Sequence, residues 1–171
     1  MTAVVIGVGN EFRHDDGAGL AVIERLERLA PPVPELRLAI TDGEPARLLE
    51  LWSGAEVAVV VDAVHSHAVS EPGRIHRLVV DRPLPGETGA ASSHGLGLGA
   101  AVELAIALDR MPRRLVLLAV EGADFSVGLG LSSHVAGAVD RLVVEALAAV
   151  GAPIPGGASE AGSRDEAEPV R

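Results

Sequence analysis

Residues 3–29 have the sequence AVVIGVGNEFRHDDGAGLAVIERLERL, in which a β-branched apolar run leads through a glycine-containing loop into a segment of helical periodicity. The run Ala3–Val8 predicts a buried first strand. From Asp16 to Leu29, leucine, valine and isoleucine recur at helical spacing, which predicts an amphipathic helix. Because a strand followed directly by a helix is the building unit of parallel α/β sheets, this segment indicates the fold class.

The remainder of the chain continues the alternation of strands and helices. The pattern predicts further strands at Leu36–Ile40, Val57–Val61 and Arg114–Val120, an edge strand at Gly73–Val80, a loop at Asp81–Ser93, and helices at Glu44–Trp52, Gly95–Leu108 and Ser133–Val150. We therefore expect an α/β three-layer sandwich, with a mostly parallel twisted sheet of about five strands flanked by helices. Residues 1–152 are predicted to form one domain. Residues 153–171, rich in proline, glycine, serine and acidic residues, are predicted to be a disordered tail.

The composition excludes several classes of function. The chain has no cysteine, and all 14 of its basic residues are arginine. Disulfides, thiol nucleophiles, thiolate zinc sites, Schiff-base lysines and lysine-dependent phosphate loops are therefore absent. The formal net charge of −10 argues against nucleic acid or an anionic membrane as a partner. Without a signal-peptide pattern or an apolar run of about 20 residues, we expect a cytoplasmic protein, monomeric by default.

Three separated side chains are candidates for one metal site: Asp16 at a predicted helix start, Asp62 after the apolar run Val57–Val61, and His94 before a predicted helix. The carboxyl ends of parallel strands meet at one edge of a sheet, which is where open α/β folds place their ligands. Two carboxylates and one imidazole can therefore converge although they are far apart in sequence. Such a ligand set suits nickel, zinc, manganese or iron, and composition does not choose among these metals.

Each candidate also has a structural explanation. Adjacent carboxylates at a helix start cannot both point the same way, so we predict that Asp15 caps the helix and that Asp16 faces the crevice. Asp62 is equally consistent with a loop anchor bonded to backbone N–H groups. His94 has two competitors, His65 and His67, which lie just beyond Asp62.

The glycine loop after the first strand is a weak signal. A dinucleotide fingerprint would need a third glycine near position 12, where the chain has Phe12. We predict that Gly7 and Gly9 permit a tight turn with positive φ, and that the side chain of Asn10 holds this turn.

Taken in order, these motifs resemble those of the hydrogenase maturation proteases, the endopeptidases of peptidase family M52. The resemblance is carried by Gly7-Val8-Gly9-Asn10, Asp15-Asp16-Gly17-Ala18-Gly19, Thr41-Asp42-Gly43, Asp62 after its apolar strand, His94 before a helix beginning Leu-Gly-Leu, and Val127-Gly128-Leu129-Gly130-Leu131-Ser132. It covers roughly residues 3–150 and is more specific than any single motif within it.

The resemblance implies a substrate and a site. The substrate would be the precursor of a nickel–iron hydrogenase large subunit with nickel already inserted, from which one cleavage removes a short C-terminal extension. Asp16, Asp62 and His94 would bind metal, with the nickel supplied by the precursor and used as a recognition point. The chain departs from the family after the second strand, where Asp42-Gly43-Glu44-Pro45-Ala46 replaces a more glycine-rich loop. That difference affects the identity of the target hydrogenase.

Two other functions fit parts of the same pattern. A non-enzymatic, nickel-dependent hydrogenase assembly chaperone would need the same ligands on the same fold. A receiver-type signalling domain would use Asp15, Asp16 and Asp62 to bind Mg²⁺, but such domains resemble one another in having a lysine at the end of the fifth strand. This chain has no lysine.

Overall fold

The computed structural model describes residues 2–29, 33–65, 69–81 and 98–154. In these ranges the strands are β1 (Ala3–Val8), β2 (Leu36–Thr41), β3 (Val57–Val64), β4 (Ile75–Asp81) and β5 (Arg114–Glu121). The helices are α1 (Ala18–Glu27), α2 (Pro45–Trp52), α3 (Gly99–Ala107) and α4 (Ser133–Ala149), and a 3-10 helix (His14–Gly17) directly precedes α1. Among the described helices, none has both the length and the apolar content needed to cross a bilayer.

The five strands form one sheet in the order β2-β1-β3-β5-β4. Strands β2, β1, β3 and β5 run parallel to one another, and β4 pairs antiparallel with β5. The predicted edge strand is therefore confirmed as an edge strand. The four parallel strands end on the same side of the sheet, which we call the carboxyl edge, and the loops that leave this edge carry the candidate site.

Two apolar clusters lie on opposite faces of the sheet, because successive side chains of a strand point to opposite sides. Ala3 and Val5 of β1 pack with α1 and α4 on one face. Val4, Ile6 and Val8 pack with α2 and α3 on the other face. The predicted three-layer α/β sandwich is confirmed, and the fully buried β1 explains why this strand has no polar residue.

Several predicted boundaries were wrong, and long-range pairing explains the main case. Strand β3 continues to Val64 rather than ending at Val61, because residues 62–64 remain paired with β5. Helix α2 begins at Pro45, since the side chain of Glu44 accepts hydrogen bonds from the N–H groups of Ala46 and Arg47 and so caps the helix. The predicted start of α3 at residue 95 and the predicted tail from residue 155 onward lie outside the described residues.

Candidate active site

The loop between β1 and the 3-10 helix folds back on itself and brings Asp16 over the end of β1. Gly9 has φ +138°, and a Cβ at this position would collide with the backbone carbonyl of Asp16. The amide of Asn10 donates to the same carbonyl at 3.2 Å, and the Asn10 side chain accepts from the amide of Phe12 at 2.9 Å. The predicted roles of Gly9 and Asn10 are thus confirmed.

Gly7 has a different role from the one predicted. It lies within β1, and a Cβ there would collide with the backbone of Gly19 in α1. A Cβ on Gly19 would in turn lie 2.5 Å from the carbonyl oxygens of Val8 and Val61. The two glycines therefore let the start of α1 approach the backbones of β1 and β3, and this close packing positions the preceding Asp16 near β3.

Asp62 lies where the pairing between β1 and β3 stops. The ladder with β1 ends at Val61, while Asp62 itself is still opposite Ala119 of β5. Its partly buried side chain accepts a hydrogen bond from the amide of Ala63 at 2.8 Å. From Asp62 onward, β3 is therefore paired with β5 and no longer with β1.

The two predicted acidic ligands influence each other electrostatically. Burial raises the pKa of Asp62 to about 7; the hydrogen bond from Ala63 opposes this rise, and the negative charge of Asp16 adds to it. A carboxyl group with this pKa gains or loses its proton near neutral pH. The 3-10 helix that carries Asp16 contacts β3, which carries Asp62, so both carboxylates lie at the carboxyl edge; their binding of a metal stays a prediction.

Asp15, predicted to cap the first helix, does not do so. Neither the 3-10 helix nor α1 has a side-chain cap. The Asp15 carboxylate is fully buried and points away, accepting backbone hydrogen bonds from Ala123 at 2.8 Å, Asp124 at 3.0 Å and Ser132 at 2.7 Å. The prediction failed because all three donors belong to the loop between β5 and α4, more than 100 residues away in sequence.

The environment of Asp15 favours its charged form. Burial by itself would raise the pKa of this carboxyl group, but hydrogen bonds from Ser132, Asp124 and Ala123 outweigh burial and hold the pKa below its usual value. Asp15 is therefore a charged anchor that joins the β1 loop to the β5–α4 loop.

The described histidines do not complete a metal site with Asp16 and Asp62. His94 and His67 lie outside the described residues, and within the described ranges no three His, Cys, Asp or Glu side chains are grouped so that they could hold a metal ion. The ring of His65 packs against Phe125 with their centroids 3.7 Å apart. The third ligand predicted from the sequence, His94, thus stays a prediction.

A further carboxylate at the carboxyl edge was not selected from the sequence. Glu121 ends β5 and is buried, with its side chain accepting from the Glu71 amide at 2.7 Å and lying 2.6 Å from His76 Nε2. The hydrogen bond from Glu71, followed by that from His76, lowers the pKa of Glu121. The signal that identified Asp62, a carboxylate at the end of an apolar strand, also applies to Glu121.

Comparison with known proteins identifies the family of the chain. A family model described as hydrogenase maturation protease (HycI) matches residues 20–149, a range that includes Asp62 and His94. The chain belongs to the hydrogenase maturation proteases. The resemblance inferred from the sequence motifs is thus confirmed, and the chain is a peptidase of this family.

Two curated relatives support the assignment. The chain is 33% identical to the hydrogenase expression/formation protein HupD of Bradyrhizobium diazoefficiens over 125 residues, which make up 71% of this chain and 62% of that protein. It is 27% identical to the hydrogenase 2 maturation protease of Escherichia coli over 155 residues, or 88% of this chain and 91% of that protein. The aligned part thus spans less than two thirds of HupD and nearly all of the second relative.

Solved structures of this maturation protease family share the fold. The hydrogenase maturating endopeptidase HybD of Escherichia coli superposes with a TM-score of 0.68 at 26% identity, covering 88% of this chain and 92% of that chain. The NiFe hydrogenase maturation protease HybD of Thermococcus kodakarensis gives a TM-score of 0.64 at 25% identity, covering 85% and 97%. Family membership and the antiparallel β4 contradict the receiver-domain alternative, because doubly wound receiver folds have parallel sheets.

Proposed function

We propose that this maturation protease removes a C-terminal extension from the nickel-loaded precursor of a nickel–iron hydrogenase large subunit, with the nickel of the substrate as its recognition point. The observation that carries the proposal is geometric: the 3-10 helix with Asp16 contacts β3 with Asp62, which places both carboxylates at the carboxyl edge. Two carboxylates in a partly buried site repel each other, and a divalent cation presented by the substrate relieves that repulsion.

The protonation of Asp62 fits such an encounter. Its pKa of about 7 means that the free enzyme holds a proton there for part of the time at neutral pH. Only the deprotonated carboxylate binds a metal ion, so docking of the nickel centre displaces this proton. His94 is the proposed third group that meets the nickel, and its neutral form would be the ligand.

The chemistry of cleavage follows from the groups that the chain has. Without cysteine there is no thiol nucleophile, and no spacing in the chain suggests a Ser-His-Asp triad, so water is the proposed nucleophile. Asp62 or Asp16 either accepts a proton from that water as a general base or holds the nickel of the substrate. The nickel carried by the precursor polarises the scissile carbonyl or activates the water.

Intact mass spectrometry of a nickel-loaded large-subunit precursor from the same source tests the proposal. We expect the loss of one C-terminal peptide with the wild-type protein, and none without nickel or with Asp62→Asn or His94→Ala. Asp140→Asn is the matched control, because Asp140 is an exposed carboxylate that pairs with Arg25 on the surface.

Each other outcome has a defined meaning. If Asp62→Asn and His94→Ala cleave at the wild-type rate, the assignment of the site is wrong. If the wild-type protein binds the precursor tightly but leaves its mass unchanged, the assembly-chaperone alternative replaces the protease. We also propose that the enzyme is a monomer and that it acts in the cytoplasm, before the large subunit is assembled.

A further inference from the structure

Three large apolar side chains at the carboxyl edge are exposed to solvent. Phe12 follows β1, and Val127 and Leu129 follow β5; their exposed fractions are 59%, 87% and 68%. We call these three side chains the apolar patch. Single exposed apolar residues are ordinary, but a group of them at one place on a protein surface is typical of an interaction site.

A parallel backbone bridge joins the two segments that carry the apolar patch. The amide of Gly128 donates to the carbonyl of Phe12 at 2.9 Å, and the amide of His14 donates to the carbonyl of Gly128 at 2.9 Å. Val127 and Leu129 flank the bridged Gly128 in sequence. The three apolar side chains therefore come from two neighbouring segments and belong to one region of the surface.

The side chains of Arg13 and His14, next to Phe12 in sequence, hold the two segments together. The guanidinium of Arg13 donates to the carbonyl of Phe125 at 3.3 and 3.2 Å. His14 Nδ1 lies 3.0 Å from the carbonyl oxygen of Gly130, which can only accept, so this nitrogen carries the proton. With the buried Asp15 anchor, these bonds order the loops before any partner arrives, which reduces the entropy lost on binding.

The loop that carries Phe12 also carries Asp16. Only three residues separate them, and the loop closes on itself through the bond between the amide of Asn10 and the carbonyl of Asp16. The apolar patch therefore adjoins the loop that carries Asp16, beside the place where a substrate polypeptide would bind. Because the apolar patch adjoins the candidate active site, the substrate polypeptide is the partner that it would contact.

We propose that the apolar patch binds an apolar segment of the precursor next to the scissile bond and holds it while the nickel centre meets Asp16 and Asp62. This inference rests on the proposed function and adds a surface that selects the substrate. The patch contributes affinity for the polypeptide, and the carboxylates recognise the metal. An apolar partner is required because Phe12, Val127 and Leu129 offer no charge or hydrogen-bonding group.

Kinetics of precursor processing with Leu129→Ser test the apolar patch. Leu108→Ser is the matched control, since Leu108 is also exposed (52%) but lies at the end of α3, before β5 begins and so at the opposite edge of the sheet. We expect Leu129→Ser to lower kcat/KM about tenfold, mainly through KM, because central apolar contacts dominate binding energy at interfaces. Leu108→Ser should process the precursor like the wild type.

A site-specific crosslink identifies what covers the patch. Because the chain has no cysteine, Leu129→Cys creates a unique thiol for a benzophenone maleimide, and Leu108→Cys provides the control. We expect the label at position 129 to crosslink to the C-terminal part of the nickel-loaded precursor, and the label at position 108 not to do so.

The possible results separate this inference from the proposed function. Failure of the wild-type protein to cleave the precursor contradicts the proposed function itself. Normal cleavage by the wild type together with unchanged KM for Leu129→Ser overturns the docking inference alone. A crosslink from position 129 to a second copy of this chain, with a dimer that dissociates in Leu129→Ser, also overturns it and makes the patch a self-association surface.

Discussion

Replacing Asp15 by asparagine tests whether a buried carboxylate, rather than a helix cap, organises the carboxyl edge. One Asp15 oxygen accepts from Ser132, and the other accepts from both Ala123 and Asp124. Asparagine has only one acceptor oxygen. In its better orientation it keeps the bonds to Ala123 and Asp124, but it turns an NH₂ group toward the amide of Ser132, so two donors face each other.

The size of the effect follows from the number of donors that lose an acceptor. A buried donor without a partner costs about 1–3 kcal/mol, and bonds to a charged acceptor are stronger than neutral ones. Asp15→Asn should therefore lower the free energy of unfolding by about 1–3 kcal/mol. Asp15→Ala loses all three bonds and should lower the free energy of unfolding by about 3–5 kcal/mol. This is less than the full cost of three unpaired donors, because Ala123 and Asp124 are exposed and water can replace part of their lost bonding.

Urea unfolding followed by tryptophan fluorescence measures these changes, because Trp52 is the single tryptophan and is fully buried. The midpoint should fall while the slope of the free energy against urea stays constant. Asp140→Asn, which removes one partner of an exposed ion pair, should change the free energy by less than about 1 kcal/mol.

The Asp15→Asn variant should also respond to acid differently from the wild type. The folded-state pKa of Asp15 is below its usual value, so its contribution to stability is fully present above about pH 4 and is lost as the pH falls through the folded pKa. Asp15→Asn should lose less stability than the wild type in that range. An unfolding midpoint equal to that of the wild type, with an unchanged acid response, would refute the role assigned to this carboxylate.

Two further substitutions test the packing and the charge of the site. In the wild type, the folded-state pKa of Asp62 is raised to about 7, so the free energy of unfolding decreases as the pH rises from about 4 to about 7, by up to about 1.4 kcal/mol per pH unit. Asp62→Asn should remove this pH dependence. Urea unfolding at a series of pH values measures this slope, which persists in the variant if another group causes it. Gly19→Ala places a Cβ 2.5 Å from two backbone carbonyl oxygens and should cost at least about 3 kcal/mol, whereas Gly137→Ala, at an open position in α4, should raise stability by about 0.5–1 kcal/mol. Thermal unfolding compares the two glycine variants, and equal melting temperatures would contradict the packing argument.

Local patterns in the sequence predicted the layers of the fold and the placement of two candidate site residues at one edge of the sheet. Strands β1 and β3 consist of uninterrupted apolar runs, which periodicity identifies without knowledge of their partners. The convergence of Asp16 and Asp62 follows from a general property of parallel sheets, namely that the carboxyl ends of the strands share an edge. Neither inference needed a specific long-range contact.

The errors have the opposite origin. Asp15 has the sequence context of a helix cap, but its partners lie in the loop before α4 and leave no local signal. The end of β3 was placed at Val61, because the pattern of a strand cannot show how far a neighbouring strand extends its pairing. Gly7 was assigned to a turn, whereas its role is to accept the backbone of α1. In each case a tertiary contact overrode a local preference.

The position of β5 between β3 and β4 has a consequence for how the protein forms during synthesis. β3 and β4 precede β5 in the chain but are not paired with each other; each of them pairs with β5. A nascent chain that ends before residue 114 therefore lacks the strand that joins the two, and Asp15 still lacks the donors that follow β5. Since domains fold as their sequence emerges from the ribosome, the carboxyl edge is completed only after the loop before α4 has been made. An incomplete chain would thus lack an ordered active site, so partial translation products of this protease would not cleave other proteins prematurely.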